Sequence, residues 1–107
     1  MSEQNIESGS QVSLHKTEEG AVIQINTDRF NFFCHRPFRE SYKDLPADAN
    51  VQVDFRKVHY MDSSALGMLL LLREHMGQDK EKVRFINCNE SILNIFSVAN
   101  FEKLFVL

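Results

Sequence analysis

The stretch YMDSSALGMLLLL, residues 60 to 72, restricts this chain more than any other. From residue 65 to 72 only Gly67 is not apolar, so a helix formed here must bury at least one side. Asp62, Ser63 and Ser64 stand directly before the run. Their side-chain oxygens are of the kind that accept the orphan N–H groups at a helix start. The pattern predicts a helix over about 63–76, stopped by Gly77. One cap suffices for one helix, and here three candidates follow one another.

On a helical wheel Ala65, Leu66, Leu69, Leu70 and Met76 share one arc, assigned to packing on a sheet. Gly67, Met68, Leu71, Glu74 and His75 fall opposite, with Ser64 beside Leu71 and His75. Met68 and Leu71 then stand where an outer face normally carries polar groups, which points to a surface for a partner protein. The bland alternative is that another element covers them, or that two exposed apolar side chains mean nothing. The N–H groups and dipole at a helix start favour an anion. A phosphoryl group on Ser63 adds about −1.5 to −2 charge there, which the helix end tolerates and a docked partner does not.

The rest of the chain frames that helix. Residues 1–11 read as a polar leader and 12–107 as one domain, since 107 residues suffice for a single core. Val12 to Leu14, and then Ala21, Ile23 and Ile25, alternate as half-buried strands around a Glu18-Glu19-Gly20 turn. Pro37, Phe38 and Tyr42 suit a short helix that Pro46 ends. Val51, Val53 and Phe55 form a strand, Val83 and Phe85 another. Ile92, Ile95, Phe96 and Ala99 mark a last amphipathic helix, and LFVL a closing strand. The expected fold is α/β, a mixed sheet of about four or five strands covered by helices in the order β-β-α-β-α-β-α-β.

A formal net charge of −3 without a basic run argues against nucleic-acid binding. The apolar run is far short of the roughly 20 residues that span a bilayer, and the polar N-terminus lacks a signal pattern, so the chain is read as cytosolic. Cys34 and Cys88 form no C-x-x-C pair and are assigned to packing. His15, His35, His59 and His75 show no metal-ligand spacing, so no metal and no cofactor is expected. Catalysis by Ser63 is not expected either, because Met61 and Ala65 stand where a G-x-S-x-G elbow needs glycines. With no long apolar edge strand and no heptad, the free protein is expected to be a monomer.

The segment VDFRKVHYMDSSALGMLLLLRE resembles the core signature of the STAS domains, the fold of bacterial anti-sigma factor antagonists. In that pattern a strand and short loop lead into Asp-Ser-Ser or Asp-Ser-Thr, a small residue, Leu-Gly and an apolar helix. Here these are Val51 to Phe55, Asp62, Ser63, Ser64, Ala65, Leu66 and Gly67, with Ala65 where glycine is often found. RFNFFCHRPFRESYKD is similar to the first-helix region of single-domain antagonists, and NESILNIFSVANFEKLFVL to the final helix and strand. The resemblance implies a partner-switching protein. The unphosphorylated form would bind an anti-sigma factor or equivalent regulator, often one with a serine-kinase ATPase domain. Phosphorylation of Ser63 would abolish binding, and a protein phosphatase 2C-type enzyme would restore it. Carried over residue by residue, Ser63 is the phosphoacceptor, Ser64 the adjacent hydroxyl and fallback acceptor, and Asp62 positions the loop. Ser64, Gly67, Met68 and Leu71 fall in the partner-facing surface. The alternative within the same family is a constitutive subunit of a transporter or signalling assembly, with no phosphoswitch.

Overall fold

The computed structural model describes residues 11–107; the expected leader falls almost wholly outside them. The chain opens with a hairpin, β1 (Val12–Thr17) and β2 (Gly20–Ile25), paired antiparallel from Val12 with Ile25 to Thr17 with Gly20. Gly20 has φ +156°, and a Cβ there would run into the carbonyl of Asn50 on the neighbouring strand. A two-residue strand β3 (Arg29–Phe30) and a 3-10 turn (Phe32–Cys34) lead into α1 (His35–Tyr42). Then come β4 (Asn50–Asp54), a second two-residue strand β5 (Tyr60–Met61), α2 (Ser63–His75), β6 (Val83–Ile86) and α3 (Glu90–Val98).

The main sheet runs β1-β2-β4-β6, with β2, β4 and β6 parallel. Its registers explain the burial. Lys16, Ala21, Val51 and Val83 line up across the sheet, as do Leu14, Ile23, Val53 and Phe85. Of these only Lys16 and Leu14, on the edge strand, are not buried. The opposite face carries His15, Val22, Gln52 and Arg84 in one row, none of them buried. Alternation of this kind is what a sheet packed on one side requires.

Ten of the aromatic rings' contacts tie the layers together along one line. His75 of α2 meets Tyr42, which meets Phe38 of α1; Phe38 meets Phe30, and Phe30 meets Phe55. Phe55 then meets Phe85 and Phe96, which lead to Phe101 and Phe105. Such pairs add about 0.5–1.5 kcal/mol each beyond their buried area.

The α/β fold matches the expected mixed sheet covered by helices, with two differences at its margins. LFVL does not form a strand: Val106 alone bridges Arg84 in parallel, exchanging backbone hydrogen bonds with Val83 and Phe85 (3.0 and 2.8 Å). Phe101 and Phe105 are instead drawn into the aromatic core by a 3-10 turn (Phe101–Lys103). The strands β3 and β5 were not expected, since two residues carry no readable alternation.

Candidate functional site

β3 and β5 are short, yet they bring together the segments that lead into the Phe32–Cys34 turn and into α2. They pair in parallel, Arg29 with Tyr60 and Phe30 with Met61. Asp28 clasps the incoming chain: its carbonyl accepts from the N–H groups of His59 (2.8 Å) and Tyr60 (3.1 Å), and its carboxylate meets His59 Nδ1 at 2.7 Å. The Arg29 guanidinium lies over the Tyr60 ring, 5.4 Å from its centre. The pairing leads directly into Asn31 on one side and Asp62 on the other. Both chains then turn into helices under the same kind of cap. Asn31 Oδ1 accepts from Phe33 N–H (3.0 Å), and Asp62 Oδ1 accepts from Ala65 N–H (3.1 Å).

Asp62 does more than cap. The Ser64 hydroxyl donates to the same Oδ1 at 2.6 Å. This hydrogen bond, helped by the backbone N–H of Ala65, holds the Asp62 carboxyl below its ordinary range against an opposing effect of burial. Ser64 is therefore tied inside the loop, half-buried. Ser63 is exposed, and its hydroxyl has no partner among the described residues. The two serines, equivalent in the sequence, are thus separated by their hydrogen bonds.

From Ser63 onward α2 has two faces. Ala65, Met68, Leu69, Leu72 and Met76 are buried, at i, i+3, i+4, i+7 and i+11. Ser63, Gly67, Leu70, Leu71 and Glu74 are exposed. Met68, expected in the partner-facing surface, is only 3% exposed and belongs to the core. Leu70, assigned to the sheet side, is an exposed residue instead. The helix sits rotated from the expected angle because a stretch apolar all round gives a wheel no polar side by which to orient it. Leu71 stays outside, 49% exposed, as expected. Gly67 has open space where its Cβ would be, so nothing among the described residues demands glycine there.

The helix ends as expected. Gly77, at φ +80°, donates to the Glu74 carbonyl (3.1 Å), and Gln78 N–H to that of Arg73 (2.9 Å). This double closure needs a left-handed residue, and glycine adopts it without a Cβ clash.

Two exposed aromatics beside this site escaped the sequence reading. Phe32 and Phe33 are 65% and 78% exposed, and their 3-10 turn lies against α2. A signal was present in FNFF: with Phe30 and Cys34 both turned inward, the residues between them are left outside. Cys34 is a buried free thiol, and Cys88 is half-buried with its thiol pushed up to about 11 by burial and by the nearby Asp54 charge. Among the described residues no group of His, Cys, Asp and Glu is placed to hold a metal ion. No helix there is long and apolar enough to cross a membrane.

A mixed sheet with helices on one face and an exposed serine at the mouth of its central helix defines a narrow class of α/β domain. The family model described as Mlab, STAS domain matches residues 12–107, and the chain belongs to the STAS-domain family. A STAS-domain containing protein of Pseudomonas aeruginosa (strain UCBPP-PA14) is 42% identical over 85 residues, covering 78% of this chain and 83% of that one. Among solved structures, the anti-sigma factor antagonist SpoIIAA in its unphosphorylated form superposes with a TM-score of 0.61, at 16% identity over 80% of this chain and 81% of that one. The Bacillus cell fate determinant SpoIIAA in the phosphorylated form gives 0.64, at 15% identity, over 89% and 88%. At such identities the likeness is one of fold.

Proposed function

We propose that this protein is an anti-sigma factor antagonist or an equivalent partner-switching regulator. Its unphosphorylated form binds an anti-sigma factor or serine-kinase regulator, and phosphorylation of Ser63 ends that binding. The observation that carries the reading is the division of labour in the Asp62 loop. The Ser64 hydroxyl is held by the Asp62 carboxylate, while that of Ser63 is exposed and unengaged at the head of an outer face made of Gly67, Leu70 and Leu71. A hydroxyl in that position is presented to a kinase, and the helix start accommodates the added charge. In this role the domain is a substrate of other enzymes rather than a catalyst, and it acts in the cytoplasm.

The energetics suffice for a switch. A standard interface buries about 800 Å² per partner, roughly one helix face with its flanking loops. A dianion desolvated at its edge opposite acidic groups costs several kcal/mol, and about 3 kcal/mol exceeds a hundredfold in affinity. The reading is tested by installing phosphoserine at position 63 and using both forms to capture partners from cells that naturally make the protein. A regulator retained by the unmodified form and lost by the phosphorylated form is the expected result. Equal retention by both removes the switch and leaves a constitutive subunit.

A further inference from the structure

The aromatic turn and α1 form a surface that the Ser63 loop alone does not explain. Between α1 and α2 lies an open groove of about 460 Å³, lined by His35, Arg39 and Tyr42 on one side and Leu71, Glu74 and His75 on the other. Beside it the ring of Phe32 stacks on that of His35, with centres 5.9 Å apart. The groove wall is tied to its surroundings by His75. Tyr42 packs edge-on against His75, whose Nε2 bonds the Leu45 carbonyl at 2.8 Å.

The α1 side of the groove is basic, while Glu74 stands on the α2 side. Residues 29–43 hold Arg29, Arg36, Arg39 and Lys43 against Glu40 alone, in a chain of formal charge −3. Lys43 is engaged by Glu40 at 2.7 Å, and Arg29 lies over Tyr60. Arg36 and Arg39 are exposed and have no ion-pair partner among the described residues. Arg39 lines the groove, and Arg36 lines an adjoining hollow with His35, Arg39 and Glu40. Guanidinium forks of this kind suit paired carboxylates. Leu71 is part of the groove lining, and the exposed Phe32 is stacked on His35 next to the exposed Phe33.

We propose that this groove seats an acidic amphipathic helix of the partner protein, apolar side chains against Phe32, Phe33 and Leu71, carboxylates against Arg36 and Arg39. A groove between two helices with apolar anchors and a charged rim is the setting for helix-in-groove recognition. Glu74 gives the docking a direction, since it repels carboxylates from its end of the groove. The proposal rests on the partner-switch reading and adds a reason for its sign: a phosphoryl group on Ser63, at the head of α2, faces a partner that already carries negative charge.

The test uses the full chain carrying a photo-crosslinking benzoylphenylalanine at Phe33 or, separately, at Leu70, in cells that naturally make the protein. After irradiation the attached segment is identified by mass spectrometry. The expected product at position 33 is a protein segment with apolar residues at helical spacing flanked by Asp and Glu. Its yield falls about tenfold in R36E/R39E, a loss of charge pairing worth that factor in affinity, while the melting temperature is unchanged. A basic segment, a nucleic acid, a second copy of this chain, or capture at position 70 with none at 33 overturns the proposal. The intact mass of the same samples separates the two readings. Phosphorylation at Ser63 without an acidic segment at position 33 overturns the groove alone. An acidic segment captured by a protein that is never phosphorylated keeps the groove and overturns the switch.

Discussion

The two faces of α2 are built from nearly the same residue types and differ in what covers them. Inward, Ala65, Met68, Leu69, Leu72 and Met76 are locked against the sheet. Outward, Leu70 and Leu71 stand in solvent beside Gly67 and Ser63. Apolar residues on the inner face need no explanation beyond the core. On the outer face the fold gains nothing from them, and glycine in the middle of a helix costs about 0.5–1 kcal/mol relative to alanine. A surface that departs from what stability favours is where a partner's requirements are read.

The sharpest way to break this comparison is to truncate both faces. Leu69→Ala, at a site with no exposure, is expected to cost about 2–5 kcal/mol in chemical denaturation. Leu71→Ala should stay within about 0.5 kcal/mol of the parent, and its effect should appear in partner affinity. A large loss of stability in Leu71→Ala would erase the distinction between the faces. Next in size is phosphoserine at position 63: about a hundredfold weaker partner binding by calorimetry, corresponding to about 2.7 kcal/mol, with the melting temperature retained. Unfolding on phosphorylation would replace the switch with simple inactivation.

Smaller effects concern the cap. Asp62→Ala is expected to cost about 1 kcal/mol. The Asp62 carboxyl is held below its ordinary range in the folded protein, so its contribution is present above the unfolded carboxylate range, near pH 4, and is lost as pH falls through the depressed folded value. Denaturation curves of Asp62→Ala and the parent should therefore converge in acid, and a gap independent of pH would contradict the cap. Smallest is Gly67→Ala. With open space around the new Cβ, it should raise stability by about 0.5–1 kcal/mol while weakening partner binding. A variant more stable and equally tight would show that the partner does not use the gap.

How legible the molecule was in its sequence follows from the same contrast. Elements with a polar side to orient them were read well. The β1-β2 hairpin follows from Ala21, Ile23 and Ile25 alternating after a glycine turn. In α3, Ile92 and Phe96 are buried as their spacing predicted, with Asn89 as the cap. Both ends of α2 carry their signals, Asp62 and Gly77. Its rotation did not, because Met68, Leu70 and Leu71 are alike in hydropathy and differ only in what the sheet covers. The loops were less legible still. That Ser64 rather than Ser63 bonds Asp62 depends on side-chain geometry, and the segment before Phe32 is brought to the site by a parallel pairing between residues thirty-one positions apart, Arg29 with Tyr60 and Phe30 with Met61. Periodicity carries no information about either.

The central claim is that Ser63, and not its neighbour, is the residue by which other enzymes control this domain. The intact mass of the protein from cells that naturally make it, beside Ser63→Ala and Ser64→Ala variants, tests it most directly. The account predicts a single phosphoryl increment that persists in Ser64→Ala and vanishes in Ser63→Ala. An increment that survives in Ser63→Ala, or none at all across growth and stress conditions, would contradict it.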